Sequence, residues 1–438
     1  MKILLYSANF APEPTGIGKY SGEMVEWLTS QGHEVRVVCA PPYYPDWKLA
    51  EGYRWPIYRH EEMLGARVWR APLWVPRQPS GVKRVVHLLS FAFTSMPVML
   101  RQVFWRPDVV VTVAPAFVCA PAGWLTARLS GGKAWLHVQD FEVDVAFGMG
   151  LLKGGWLRRS VLAAERVLMR RFDVVSSISG RMVERLQSKG VPAERTHLFP
   201  NWVNVEHIKP LKTVSPYRQE LGISPDAKVV LYSGTLGNKH GLCILPKAAN
   251  MLRHRKDIVF VICGDGVMKR ELQHACRDMA NVRMLPLQPA DRLGDLLGMA
   301  DVHLLPQSAE AEDLVLPSKI NGMLSSGRPV IATCSPDSEL GRVVARCGLV
   351  TSPGNAMAMA SAIVQLCDAP SERGTLGAKA RRYAEQRLSI NGILSSFCMR
   401  AGRLTNQPVL VDQPSVIERL DLASVFPPPQ RDVANLNK

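Results

Sequence analysis

Nine cysteines are present, but no CxxC pair. Cys39, Cys119, Cys243, Cys263, Cys276, Cys334, Cys347, Cys367 and Cys398 stand singly, mostly in apolar runs. An odd, unpatterned set excludes a disulfide framework and reads as reduced core thiols in cytoplasm. There is no uninterrupted apolar run of about 18 residues either, so no segment reads as a membrane span. The nearest candidate, Val85 to Val103, is broken by His87, Ser90, Thr94, Ser95 and Pro97. The apolar run after Met1-Lys2 is too short for a secretory signal. Zinc-finger spacing, an RNA-binding aromatic signature and a basic arm are all missing. The formal net charge of +15 is spread out, with 25 Lys and Arg against 17 Asp and Glu in residues 1 to 206. Nucleic acid is therefore not the expected partner, and an anionic membrane surface or a polyphosphate ligand is.

With 438 residues the chain exceeds what one hydrophobic core usually serves. It also starts twice. Residues 2–28 read KILLYSANFAPEPTGIGKYSGEMVEWL and residues 229–242 read VVLYSGTLGNKHGL, each an apolar strand running into a glycine turn and a helix. That arrangement presents backbone N–H groups to a phosphate. The first turn lacks GxGxxG and no acidic residue ends the following strand, so a dinucleotide fingerprint is not met. The expected fold is α/β, with two facing Rossmann-like domains of parallel strands. We place the amino-terminal domain at 1–205, the second at 206–385, a closing helix that packs back on the first domain at 386–402, and a loosely ordered tail at 403–438. The polar crossing from Asn201 to Gly222 is the expected linker.

Ligands of open parallel sheets sit beyond the carboxyl ends of the strands. In the second domain that rim carries Gly234 to Gly241, Gly264 to Gly266 and Glu312 to Lys319, where Lys239 and Lys319 can neutralise phosphate oxygens. In the first domain His137 ends an apolar strand ahead of Gln139, Asp140, Glu142 and Asp144. Its ring either faces a ligand or is satisfied structurally. No histidine completes a metal site with Asp140 and Asp144, and neither metal nor cofactor is expected. The stretch Pro41 to Pro79 is an aromatic, proline-rich excursion whose Tyr43, Tyr44 and Trp47 either pack under a long loop or hold a substrate. Val82 to Phe104 reads as a helical pair or bent helix, flanked by Lys83, Arg84, Arg101 and Arg106. It suits either a domain core or an interface with anionic lipid. Phe147 to Leu157 is a second such candidate.

Together YSANFAPEPTGIGKY (6–20), GHEVRVVCAPPYYP (32–45), LHVQDFEVD (136–144), FPNW (199–202), the turn from Tyr232 to Leu242 and LPSKINGMLSSGRPVIA (316–332) carry a resemblance. Residues 1 to about 402 resemble the two-domain, nucleotide-sugar-dependent glycosyltransferases of the retaining type. The resemblance implies a donor held by the second domain and an acceptor by the first. It places Gly16, Gly18, Gly234, Thr235, Lys239, Gly264, Gly266, Glu312, Asp313, Ser318 and Asn321 at the donor, Tyr43, Tyr44, Trp47 and Asp140 at the acceptor, and His137 and Lys319 at the reacting centre. Many relatives have an Arg where Thr235 stands and a Glu that grips the donor ribose where Gly322 stands, so Glu312, Asp313 or Asn321 must take the ribose. Exopolysaccharide-building members imply GDP-fucose as donor and an undecaprenyl-diphosphate-linked oligosaccharide as acceptor, on the inner face of the cytoplasmic membrane. A nucleotide-sugar epimerase or hydrolase and a non-catalytic sugar-nucleotide-binding scaffold are the alternatives.

Overall fold

A computed structural model describes residues 1–78, 80–114, 117–141, 155–308 and 317–408. The chain divides into two compact units, one formed by Met1–Pro200 with the chain from Leu394 onward, the other by Asn201–Ile393.

The first unit holds an eight-stranded sheet. Its strands are β1 (Lys2–Ser7), β2 (Glu34–Cys39), β3 (Arg59–Met63), β4 (Ala66–Arg70), β5 (Val109–Ala114), β6 (Lys133–Val138), β7 (Val174–Ser177) and β8 (Thr196–Leu198), in the order β3-β4-β2-β1-β5-β6-β7-β8. All pairs are parallel except the β3–β4 hairpin. The hairpin corrects the reading of Pro41 to Pro79 as one long loop. RHEEM is charged and largely exposed, as edge strands are, whereas ARVWR alternates buried and exposed residues and joins the sheet between β3 and β2. The central strands β5 and β7 are buried along their whole length, as expected of a sheet covered on both faces.

Val82 to Phe104 forms one helical element and not a helical pair. A single helix spans Gly81–Gln102, with Pro97 inside it, and runs on into the 3-10 turn Val103–Trp105. Its inward face at four-residue spacing is His87, Phe91, Ser95 and Met99. In the helix Ile390–Thr405, Phe397 of the first unit stacks on Phe199 and tilts against Trp135.

The second unit has six parallel strands, β9 (Lys228–Ser233), β10 (Ile258–Cys263), β11 (Val282–Leu285), β12 (Val302–Pro306), β13 (Val330–Thr333) and β14 (Gly348–Thr351), ordered β11-β10-β9-β12-β13-β14. Residues 201–222 belong to this unit. Val203, Val205, Ile208 and Tyr217 are buried in its core, and Val203 bridges to Ser389. In both sheets the strand order reverses next to the first strand, between β1 and β5 and between β9 and β12. Such switch points open a crevice at the carboxyl ends.

Candidate functional site

At the switch point of the second unit, β9 ends at Ser233 and the chain turns through Gly234, Thr235 and Leu236. Gly234 and Gly264 meet backbone to backbone, since a Cβ on Gly264 would lie 1.9 Å from the Gly234 carbonyl oxygen. Gly266 is held the same way against Leu236, with the Leu236 N–H donating to Asp265 O at 2.8 Å. Further round, Gly241 sits against Gln307 at the end of β12, where a Cβ would meet the Gln307 carbonyl at 3.1 Å. The turns after β9, β10 and β12 thus interlock through atoms that no side chain could displace.

Across this bare backbone lies Lys319, the first residue of the helix Lys319–Ser325. Its Cδ is 3.1 Å from the position a Gly234 Cβ would take. Its Nζ donates to the Tyr232 hydroxyl at 3.0 Å and lies 4.4 Å from the Tyr232 ring centroid. No carboxylate of the described residues pairs with it, and burial lowers its pKa to about 8. A neutral phenol leaves the charge of such a cation in place.

The structure thus brings together Gly234, Thr235, Gly264, Gly266, Ser318 and Lys319. Lys239 lies in the 3-10 turn Asn238–His240; its side chain, like Glu312 and Asp313, lies outside the described residues. Asn321 is buried and its amide donates to Asn201 O at 2.9 Å, so it ties the start of the second unit to this helix. Gly322 faces Leu297 and Ile208, not the glycine turns.

In the first unit the loop after β1 is closed by a residue not singled out in the sequence. Glu13 is buried. One carboxylate oxygen accepts the backbone N–H groups of Tyr43 and Tyr44 at 3.1 and 3.0 Å, and the other accepts from Asn9 Nδ2 at 2.9 Å. Burial pushes its pKa up, opposed by these hydrogen bonds and by Arg70. Gly18 is needed there because a Cβ would lie 2.5 Å from Glu13 Cβ, while Gly16 takes φ +59° at the start of the helix Gly16–Ser30. Tyr43 is buried, edge-on to Trp47 and His87, whereas Tyr44 is exposed. Tyr43 and Trp47 pack against each other and against His87.

His137 lies inside β6, with Val138 after it. Cross-strand register sets it beside Ser176 and Ser176 beside His197. The Trp135 indole N–H donates to Ser176 Oγ at 2.8 Å, and His137 Nδ1 lies 2.9 Å from the same oxygen. Burial, with the neighbouring His197, lowers the His137 pKa to about 3. A neutral imidazole of this kind can hydrogen-bond but is a poor general base near neutral pH. Asp140 is exposed at the end of β6, and Glu142 and Asp144 lie outside the described residues. Among the described residues no three His, Cys, Asp or Glu side chains gather as a metal site.

Two α/β units with mostly parallel sheets, the second with a glycine-walled, cationic switch point, have the architecture of GT-B-type glycosyltransferases. Residues 15–202 match the Glycosyl transferase 4-like domain and residues 227–369 the Glycosyl transferases group 1 domain. WcaI of Escherichia coli (strain K12), provisionally named a colanic acid biosynthesis glycosyl transferase, is 41% identical over 91% of this chain and 98% of its own length. The chain belongs to this nucleotide-sugar-dependent glycosyltransferase family. A more distant relative, the GDP-mannose-dependent alpha-(1-6)-phosphatidylinositol monomannoside mannosyltransferase of Mycobacterium tuberculosis, is 26% identical over 70% of this chain and 72% of its own. Among solved structures, sucrose-phosphate synthase from Thermosynechococcus elongatus superposes with a TM-score of 0.69 at 18% identity, over 92% of this chain and 99% of that one. Anabaena HepE in complex with UDP and glucose gives 0.63 at 17%, over 92% and 100%. At such identities these two carry the fold alone.

Proposed function

We propose that the chain transfers a sugar, with retention of anomeric configuration, from a nucleoside diphosphate sugar to a lipid-linked oligosaccharide in exopolysaccharide biosynthesis. GDP-fucose is the donor and an undecaprenyl-diphosphate-linked oligosaccharide the acceptor in this reading. The observation that carries it is Lys319, a half-buried cation laid across Gly234 and, among the described residues, paired with no carboxylate. A diphosphate leaving group is the anion such a cation stabilises, and more strongly as negative charge builds on it. The name of WcaI supports the pathway, and the GDP-mannose-dependent relatives support a guanine donor. Their phosphatidylinositol mannoside acceptors, with the alpha-galactosylglucosyldiacylglycerol synthase of Streptococcus pneumoniae, support a lipid-borne acceptor.

A membrane-surface location is supported by the helix Gly81–Gln102, which buries Phe91 and Met99 in the core yet carries a second apolar stripe on its exposed side. It buries His87, Ser95 and Gln102 but exposes Val82, Val86, Leu89, Phe93 and Leu100, with Phe104 just beyond, 88% exposed. Lys83, Arg101 and Arg106 border that stripe, the pairing of apolar face and basic rim that anionic lipid favours. No helix of the described residues is long and apolar enough to cross a membrane.

The test is incubation with labelled GDP- and UDP-sugars and undecaprenyl-diphosphate-linked oligosaccharides, with the product linkage read by NMR. A retained linkage is expected, and turnover should fall about tenfold to a thousandfold in Lys319→Ala, as for other groups that stabilise developing charge. Release of free sugar only, or an inverted linkage, would sink the reading.

A further inference from the structure

Tyr232 is the last apolar residue of β9 and fully buried. Its hydroxyl donates to the Thr235 carbonyl at 2.7 Å, which folds the strand end back onto its own turn. A phenol has one proton, and once that proton is committed to Thr235 the oxygen offers lone pairs alone. Lys319 Nζ is the donor that takes them up at 3.0 Å. The ring supplies a second attraction, because a cation 4.4 Å from the centroid is within reach of the aromatic quadrupole. Neither contact neutralises the ammonium. They fix where it stands, and the lysine stem is braced from below by the empty Cα of Gly234.

We propose that Tyr232 is a positioning residue whose hydroxyl and ring mount the Lys319 ammonium over the Gly234–Thr235 turn, ready for the donor diphosphate. The proposal rests on the donor reading above for its ligand, but the mount itself is a property of the free protein. It explains how a turn with Thr235 in place of a charged side chain still presents a positive group. The cation comes from a helix 87 residues further along, fixed by an aromatic residue of the strand that leads into the turn.

Two measurements on the full chain test it. In the first, ¹⁵N-lysine NMR follows the titration of Lys319 in the wild type and in Tyr232→Phe, with Lys319→Met to assign the signal. Removal of the phenol oxygen should shift the titration midpoint; an unshifted midpoint overturns the mount whether or not any nucleotide binds. In the second, calorimetry with GDP and with UDP should show Tyr232→Phe and Lys319→Met each weakening the tighter ligand about tenfold or more, as loss of a charge-assisted contact does. The double variant should then be no weaker than Lys319→Met alone, because Tyr232 acts through the lysine. Losses that multiply, or a Tyr232→Phe protein with lowered melting temperature and unchanged affinity, would make Tyr232 merely structural and overturn the proposal. A wild type that binds neither diphosphate but keeps the NMR coupling would instead refute the donor reading.

Discussion

After β1 the chain turns through Pro12, Pro14, Gly16 and Gly18, and after β9 it turns through Gly234, Gly237 and Gly241; the two turns differ in what fills them. In the first, the space a side chain would need at position 18 is taken by the carboxylate of Glu13, whose oxygens bind Tyr43 N–H, Tyr44 N–H and Asn9. The anion there is the protein's own. In the second, glycines pack on backbone and the group laid over them is a cation whose partner among the described residues is a neutral phenol. One strand-turn-helix pattern has thus produced a closed wall in one unit and, in the other, a turn with charge to spare. A glycine turn signals close approach of something, and only the packing decides whether it is a neighbour or a ligand.

The closed wall depends most on Arg70. This fully buried guanidinium pairs with Glu61 and donates to Ala40 O at 3.0 Å and Ala11 O at 2.7 Å, tying β4 to the end of β2 and to the loop that carries Glu13. Arg70→Met removes the charge and leaves Glu61 and two carbonyls short of a donor. Breaking a buried pair from one side costs about 3–5 kcal/mol. Denaturant unfolding followed by tryptophan fluorescence should show that loss, and a change below about 1 kcal/mol, the worth of a surface pair, would mean that the wall closes without it.

A smaller effect separates the two glycines of the same turn. Gly18→Ala puts a methyl 2.5 Å from Glu13 Cβ and 2.6 Å from its Oε2, so the carboxylate must move and about 1–3 kcal/mol is lost to overpacking. Gly16→Ala has nothing within 4 Å, and its cost is the strain of φ +59° alone, about 1 kcal/mol. Equal losses in the same unfolding assay would remove Glu13 as the reason for Gly18.

The strands around these turns are legible in the sequence because KILLYS, VVVTVA and IVFVIC are continuous apolar runs bounded by turn residues, which local physics ties to buried parallel strands. The hairpin β3–β4 was not legible, since its charges are solvated on one strand and, at Arg70, satisfied by partners from three separate segments. Nothing local marks Glu13, between two prolines, as buried; its burial follows from backbone N–H groups about thirty residues away. For the candidate site, the glycines and Lys319 were visible as types. Their meeting was not, because nothing local in LPSKI tells that its lysine lies on Gly234. Tyr232 could have been noticed as the one polar-tipped ring closing an apolar strand ahead of a glycine.

The cationic turn makes the finest prediction. Burial depresses the Lys319 pKa to about 8 in the free protein, and a bound diphosphate favours the ammonium, so binding takes up a proton wherever the free amine is neutral. The sign follows. Affinity for a nucleoside diphosphate is full below about pH 8 and falls as pH rises through that value, by up to about tenfold per pH unit for one linked proton. Bound ligand raises the lysine's pKa, so turnover at saturating donor should hold to a higher pH than affinity does. Calorimetry from about pH 7 to about pH 9.5, in two buffers of different ionisation enthalpy, reads both the affinity and the proton uptake; Lys319→Met should be flat over the same range. The Glu13 turn carries no such cation. A wild-type affinity as flat as the variant's would erase the difference between the two turns, leaving Lys319 as buried and as spoken for as Glu13.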